Sequence, residues 1–125
     1  MSLDPAELSP ERAHALLAER RATFIDARPS TQYEESGIRI PGALQVGAGS
    51  GVDILEALKA LPRDTTVIVY CDDPDQASSS LIARRVGELG LGEAFHLEGG
   101  FRAWLARHLP VERVLAVAPA AQPGG

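Results

Sequence analysis

Val67-Ile68-Val69-Tyr70-Cys71 is the stretch that decides how this chain is read. An unbroken run of β-branched apolar residues suits a strand buried on both faces, as in the middle of a parallel sheet. The run stops at the only cysteine among 125 residues. Asp72-Asp73-Pro74-Asp75-Gln76-Ala77 follows as a polar loop, and Ser78 opens a helix whose apolar positions are Leu81, Ile82, Ala83, Val86 and Leu89. In open α/β sheets, ligands bind beyond the carboxyl ends of the strands. A helix N-terminus there offers free N–H groups and the positive end of its dipole. Both favour the thiolate, the nucleophilic form of cysteine. Cys71 is therefore the candidate nucleophile.

Toward the N-terminus, Ser9-Pro10-Glu11 reads as a helix cap followed by proline in the first turn. Ala13, Leu16 and Leu17 give this helix an apolar face through about Arg20. Thr23-Phe24-Ile25-Asp26-Ala27 reads as a short buried strand that Arg28-Pro29-Ser30 ends. Residues 31–36 suit one helical turn anchored by Tyr33, and a turn-rich connection at residues 37–43 leads into a strand over Ala43 to Val46. Gly47-Ala48-Gly49-Ser50-Gly51 lacks the Gly-Lys-Ser/Thr ending of a phosphate-binding loop and reads as a connector. A helix over 52–60 stops before Pro62.

Beyond the cysteine, the Ser78 helix runs to Gly87 or Gly90, and Ala94-Phe95-His96-Leu97 is a further strand. Gly99-Gly100 turns into a helix over 101–108 with Phe101, Trp104 and Leu105 inward, and Val111 to Val117 pairs or packs once more. Pro119 to Gly125 has the composition of a frayed tail. Strands alternating with helices predict an α/β fold with a mostly parallel central sheet flanked by helices. The expected organisation is an N-terminal segment over 1–7, one domain over 8–117 and a flexible tail over 118–125.

Composition narrows the function. The net charge is −5, and no basic patch with interleaved aromatics points to nucleic acid. No apolar run approaches the ~18–20 residues that span a bilayer. The chain opens on no charged-then-apolar leader, and one cysteine forms no internal disulfide, so a cytoplasmic location is expected. His14, His96 and His108 lie too far apart for zinc-ligand spacing, and no metal or organic cofactor is expected.

In this order, the pieces resemble a single rhodanese domain, the family of sulfurtransferases and their relatives. The matching stretches are Phe24-Ile25-Asp26-Ala27-Arg28 with Tyr33, Gly37-Ile38-Arg39-Ile40-Pro41-Gly42-Ala43, Val67-Ile68-Val69-Tyr70-Cys71, and Leu97-Glu98-Gly99-Gly100-Phe101-Arg102-Ala103-Trp104. The second is similar to the family's G-H-I-P-G-A stretch and the last to its L-x-G-G-x-x-x-W signature. The resemblance spans roughly residues 8 to 112. It implies a three-layer fold in which Cys71 accepts a sulfane sulfur as a persulfide and passes it to a thiol or cyanide. It also implies that the backbone amides of Asp72, Asp73, Pro74, Asp75, Gln76 and Ala77 surround that sulfur, proline contributing no N–H. An anionic persulfide needs donors aimed at it, and consecutive loop amides make such a nest.

Two departures from the family pattern bear on activity. Arg39 stands where the G-H-I-P-G-A stretch has histidine, and Ser78 lies seven positions beyond Cys71, one more than in the common six-residue loop. The longer loop is similar to that of the family's phosphatase branch, but Ala77 occupies the position of that branch's arginine. Without a guanidinium to clamp phosphate, the sequence argues against phosphatase chemistry. The loop instead carries Asp72, Asp73 and Asp75. A carboxylate about 7 Å from sulfur, at an effective dielectric of about 20, opposes a thiolate by roughly 2 kcal/mol before screening. That rivals the roughly 0.3–2 kcal/mol from a helix terminus. A dianion such as thiosulfate is disfavoured by the same charges, unless the carboxylates point outward.

Asp26 and Arg28 are expected as a structural pair or as anchors for backbone near the loop. The three loop carboxylates read as solvated rather than as a hard-cation site, His96 as a strand residue with a satisfied ring, and Trp104 as core. Arg84 and Arg85 read as surface residues, either of which could soften the loop's charge. The expected function is sulfur transfer through a Cys71 persulfide, from a small sulfur donor or a persulfide-carrying protein to a thiol acceptor or cyanide. The alternatives are a non-catalytic interaction or regulatory domain and a redox-sensing thiol.

Overall fold

Strand alternation in this chain sorts side chains onto two faces of one parallel sheet. The computed structural model describes residues 6–47, 49, 51, 53–61, 64–72, 77–89 and 94–114, with backbone alone at 54, 55, 58 and 77–80. The elements are β1 (Ala6–Leu8), α1 (Pro10–Ala18), β2 (Ala22–Asp26), α2 (Ser30–Ser36), β3 (Ile38–Arg39), β4 (Leu44–Gln45), α3 (Ile54–Lys59), β5 (Thr66–Tyr70), α4 (Ala77–Glu88), β6 (Ala94–Leu97), α5 (Gly100–Ala106) and β7 (Glu112–Arg113). Five strands form a parallel sheet in the order β1-β6-β5-β2-β4. β3 and β7 form a separate antiparallel pair.

The Val67–Tyr70 run lies at the centre of the sheet, between β6 and β2, and is wholly buried. Phe24, Ile68, Tyr70 and Leu97 face one side, where Ala13 of α1 and Phe101 and Trp104 of α5 cover them. Ile25, Val67 and Val69 face the other side, under Ala83 and Val86 of α4. Trp104 is core, as expected, and its indole Nε1–H donates to the Pro110 carbonyl at 2.7 Å. Among the described residues no helix is long and apolar enough to cross a membrane.

Several expectations shift. Leu105 is 38% exposed and Leu81 61% exposed, so neither faces the core. The cores under α5 and α4 are already filled by Phe101 and Trp104, and by Ala83 and Val86. Residues 6–8 add an edge strand, with Ala6, Glu7 and Leu8 opposite Phe95, His96 and Leu97. β3 goes beyond the sequence reading, and among the described residues the strand expected over 111–117 covers Glu112–Arg113; residues 115–117 lie outside them. Gly47 is less free than a connector glycine. A Cβ there would collide with the Arg28 carbonyl oxygen, so glycine is what allows this close approach.

Candidate active site

β5 delivers Cys71 to the carboxyl edge of the sheet, one residue past its last paired position, Tyr70 opposite Asp26. The Ala27 N–H donates to the Tyr70 carbonyl at 2.8 Å, extending the ladder to the brink of the site. Cys71 is half-buried. Beside it, Gly99 adopts φ 77°, a left-handed conformation suited to glycine, and turns β6 into α5. The first turn of α5 then holds the chain just after the thiol. The Phe101 N–H donates to the Cys71 carbonyl at 2.8 Å, and the Arg102 N–H to the Asp72 carbonyl at 3.3 Å. Two successive amides thus grip two successive carbonyls.

Beneath this edge lies a buried charge pair. Arg28 donates from Nε and Nη2 to the Asp26 carboxylate, the shortest contact being 2.6 Å, and both side chains are fully buried. The Arg28 backbone N–H also donates to Asp26 Oδ1 at 2.9 Å, and Nη2 to the Ile38 carbonyl at 2.9 Å. The Tyr70 hydroxyl donates to Asp26 Oδ2 at 2.8 Å and accepts from the Ile40 N–H at 3.2 Å. Burying a pair is costly unless its remaining donors and acceptors are satisfied, and these bonds supply most of them. Among the described residues Arg28 Nη1 finds no hydrogen-bond acceptor. Its guanidinium carbon sits 4.5 Å from the ring centre of Phe101, with Tyr33 and Tyr70 at 5.5 and 5.8 Å, so aromatic faces take the place of an acceptor.

The electrostatics follow from this geometry. Burial works against the charge of Arg28, but hydrogen bonds and charge from Asp26, with the fields of Tyr70 and Asp72, more than offset it and raise its pKa. Burial pushes the Tyr70 phenol well above its ordinary value, and the Asp26 charge adds to the effect. Asp26 and Arg28 thus form a buried ion pair under the strand ends.

Asp72 is 38% exposed, with Oδ2 3.8 Å from Nε of Arg102. Ala77 and Ser78 start α4, whereas the readings of Asp73, Pro74, Asp75 and Gln76, and with them most of the amide nest, lie outside the described residues. Arg85 pairs with Glu88 at 3.9 Å on the exposed side of α4. His96 is buried on β6, with Glu7 3.9 Å away. Arg39 has taken up a bracing position: Nε donates to Glu112 at 2.7 Å, and Nη1 donates to the Tyr33 hydroxyl at 2.9 Å and the Ala43 carbonyl at 3.2 Å. Sequence reasoning missed the Tyr70 hydroxyl, the Phe101 and Arg102 amides and the Arg102 side chain. The Gly99-Gly100 pair was the available signal, since a backbone that turns so tightly brings its next amides against a neighbouring loop.

The comparisons with known proteins agree with this geometry. The family described as the rhodanese-like domain matches residues 9–107. The chain is 32% identical over 91 residues to the probable adenylyltransferase/sulfurtransferase MoeZ of Mycobacterium tuberculosis, covering 73% of this chain but only 22% of that protein. It is 29% identical to the thiosulfate sulfurtransferase GlpE of Actinobacillus succinogenes over 113 residues, 90% of this chain and 96% of that one. Among solved structures it is similar to a thiosulfate sulfurtransferase from Pseudomonas aeruginosa, with a TM-score of 0.70 and 25% identity over 87% of this chain and 19% of that one. By the span of its match and by its sheet architecture, the chain belongs to the rhodanese-like domain family.

Proposed function

We propose that this protein is a sulfurtransferase that carries sulfane sulfur as a persulfide on Cys71. The observation that carries the reading is the placement of the thiol past the central strand, with its own carbonyl held by the Phe101 amide. The end-to-end similarity to a thiosulfate sulfurtransferase supports it. In the first half-reaction the Cys71 thiolate attacks the outer sulfur of thiosulfate. A Cys–S bond forms, the S–S bond of thiosulfate breaks, and sulfite leaves with the electron pair. In the second, cyanide or an acceptor thiolate attacks the outer sulfur of the persulfide and the Cys71 thiolate is released. Splitting the transfer in two is nucleophilic catalysis of ping-pong form.

Intact-protein mass spectrometry after incubation with thiosulfate, and separately with a small organic persulfide, tests this. Wild type gains one sulfur atom from at least one donor, and Cys71→Ser gains none. Wild type that gains no sulfur from either donor, with its thiol free and reduced, refutes the proposal.

A further inference from the structure

The candidate site faces a charge problem. Its thiol is followed directly by Asp72, and Asp73 and Asp75 come soon after in the loop. Thiosulfate is a dianion, and an unpaired carboxylate beside the thiol repels it. The first of these carboxylates is not unpaired. Asp72 Oδ2 lies 3.8 Å from Nε of Arg102, and the Arg102 N–H donates to the Asp72 carbonyl at 3.3 Å. The same residue therefore meets Asp72 through both backbone and side chain. The backbone bond keeps the Cα atoms close and lessens the ordering cost that usually makes a surface ion pair weak. Arg102 remains 68% exposed, so its charge is open to an incoming ligand. The Arg28 guanidinium, by contrast, is buried and already committed to Asp26.

We propose that Arg102 is a specificity-determining residue for the sulfur donor: by offsetting Asp72 beside Cys71, it keeps the mouth of the site open to anionic donors. This rests on the reading of Cys71 as the sulfur acceptor. Arg102 takes no part in the bond changes. It supplies from α5 the positive charge that the loop after Cys71 lacks.

Two charge-selective reactions at Cys71 test the proposal. The first compares alkylation by iodoacetate, an anion, with alkylation by neutral iodoacetamide at one pH. The thiolate fraction cancels in the ratio, and no sulfur transfer is required. At low salt, Arg102→Gln lowers the iodoacetate-to-iodoacetamide ratio roughly twofold to fivefold. Asp72→Asn raises it, and the double variant returns to within about twofold of wild type because the net charge of the pair is restored. High salt shrinks all these differences. The second reaction compares sulfur loading from thiosulfate with loading from cysteamine persulfide, whose ammonium and persulfide charges cancel. Arg102→Gln slows the thiosulfate reaction roughly threefold to tenfold and the zwitterion by less than twofold. A ratio unchanged in Arg102→Gln, a double variant as low as the single one, or equal slowing with both donors overturns the proposal. Wild type that loads no sulfur while the alkylation ratios shift as expected overturns the sulfurtransferase reading, and with it the donor role of Arg102.

Discussion

Tyr70 shows how much of the site's support rests on single atoms. Its hydroxyl donates to Asp26 and accepts the Ile40 N–H, joining β5, β2 and the turn after β3. Tyr70→Phe leaves that buried amide without its acceptor and removes one of the bonds to the Asp26 carboxylate. The expected cost is about 1–3 kcal/mol at neutral pH. The folded-state pKa of Tyr70 is raised, so the wild-type advantage is fully present below the unfolded value near 10 and is lost as pH rises toward the folded one. Denaturant melts of wild type and Tyr70→Phe should therefore differ most near neutrality and converge above about pH 10. A gap that holds constant into alkali would refute the assignment. At this scale the sequence spoke unevenly. A pair of Asp26 and Arg28 was among the readings the sequence allowed, whereas Tyr70 looked like one more apolar residue in a buried run.

Two helix ends differ from the sequence reading, and the two differences have one cause. The sequence suggested that α1 runs to about Arg20 and α5 to His108, yet they end at Ala18 and Ala106. Arg20 and His108 are the two non-glycine residues with positive φ, at 58° and 55°, among the described residues. Each closes its helix with the same pair of bonds. The Arg20 and Arg21 amides donate to Leu17 and Leu16, and the His108 and Leu109 amides to Leu105 and Trp104. This double capping pattern normally places glycine at the left-handed position. Neither helix announces its end in the usual way, so the pattern of apolar residues overran both. The conformation costs a side chain roughly 1–2 kcal/mol, part of which glycine returns through its freer unfolded chain. Arg20→Gly and His108→Gly are each expected to stabilise the protein by about 0.5–1 kcal/mol, seen as a rise in Tm of a few degrees. If either substitution lowers Tm, the side chain there contributes more than its backbone strain costs.

Across the whole molecule, the legible part is the alternation of apolar residues that builds the parallel sheet and puts Cys71 at its edge. β1 and β3 were hidden, because each is only two or three residues long and sits in a stretch that reads as a leading segment or as a turn. Arg39 was visible only as a departure from the family's histidine; its purpose appears once the chain is folded. β7 lies beyond the family's matched span, residues 9–107, and returns to pair with β3. There the Glu112 carboxylate accepts from Arg39 Nε at 2.7 Å and from the Gly42 N–H at 3.0 Å. β3 in turn accepts Arg28 Nη2 at the Ile38 carbonyl, so the C-terminal strand braces the layer that encloses the buried pair. The Gly42 amide, and then Arg39, hold the Glu112 pKa below its ordinary 4.5. A carboxyl with a depressed folded-state pKa stabilises the fold above its unfolded value and loses that contribution as pH falls through the folded one. Glu112→Gln is therefore expected to lower stability at neutral pH, by no more than about 1 kcal/mol because the pair is partly exposed and screened. Below pH 4.5 the difference should fade, as wild type becomes protonated and loses the same charge. Parallel melting curves for the two proteins from neutrality into acid would show instead that β7 is held by its backbone pairing alone.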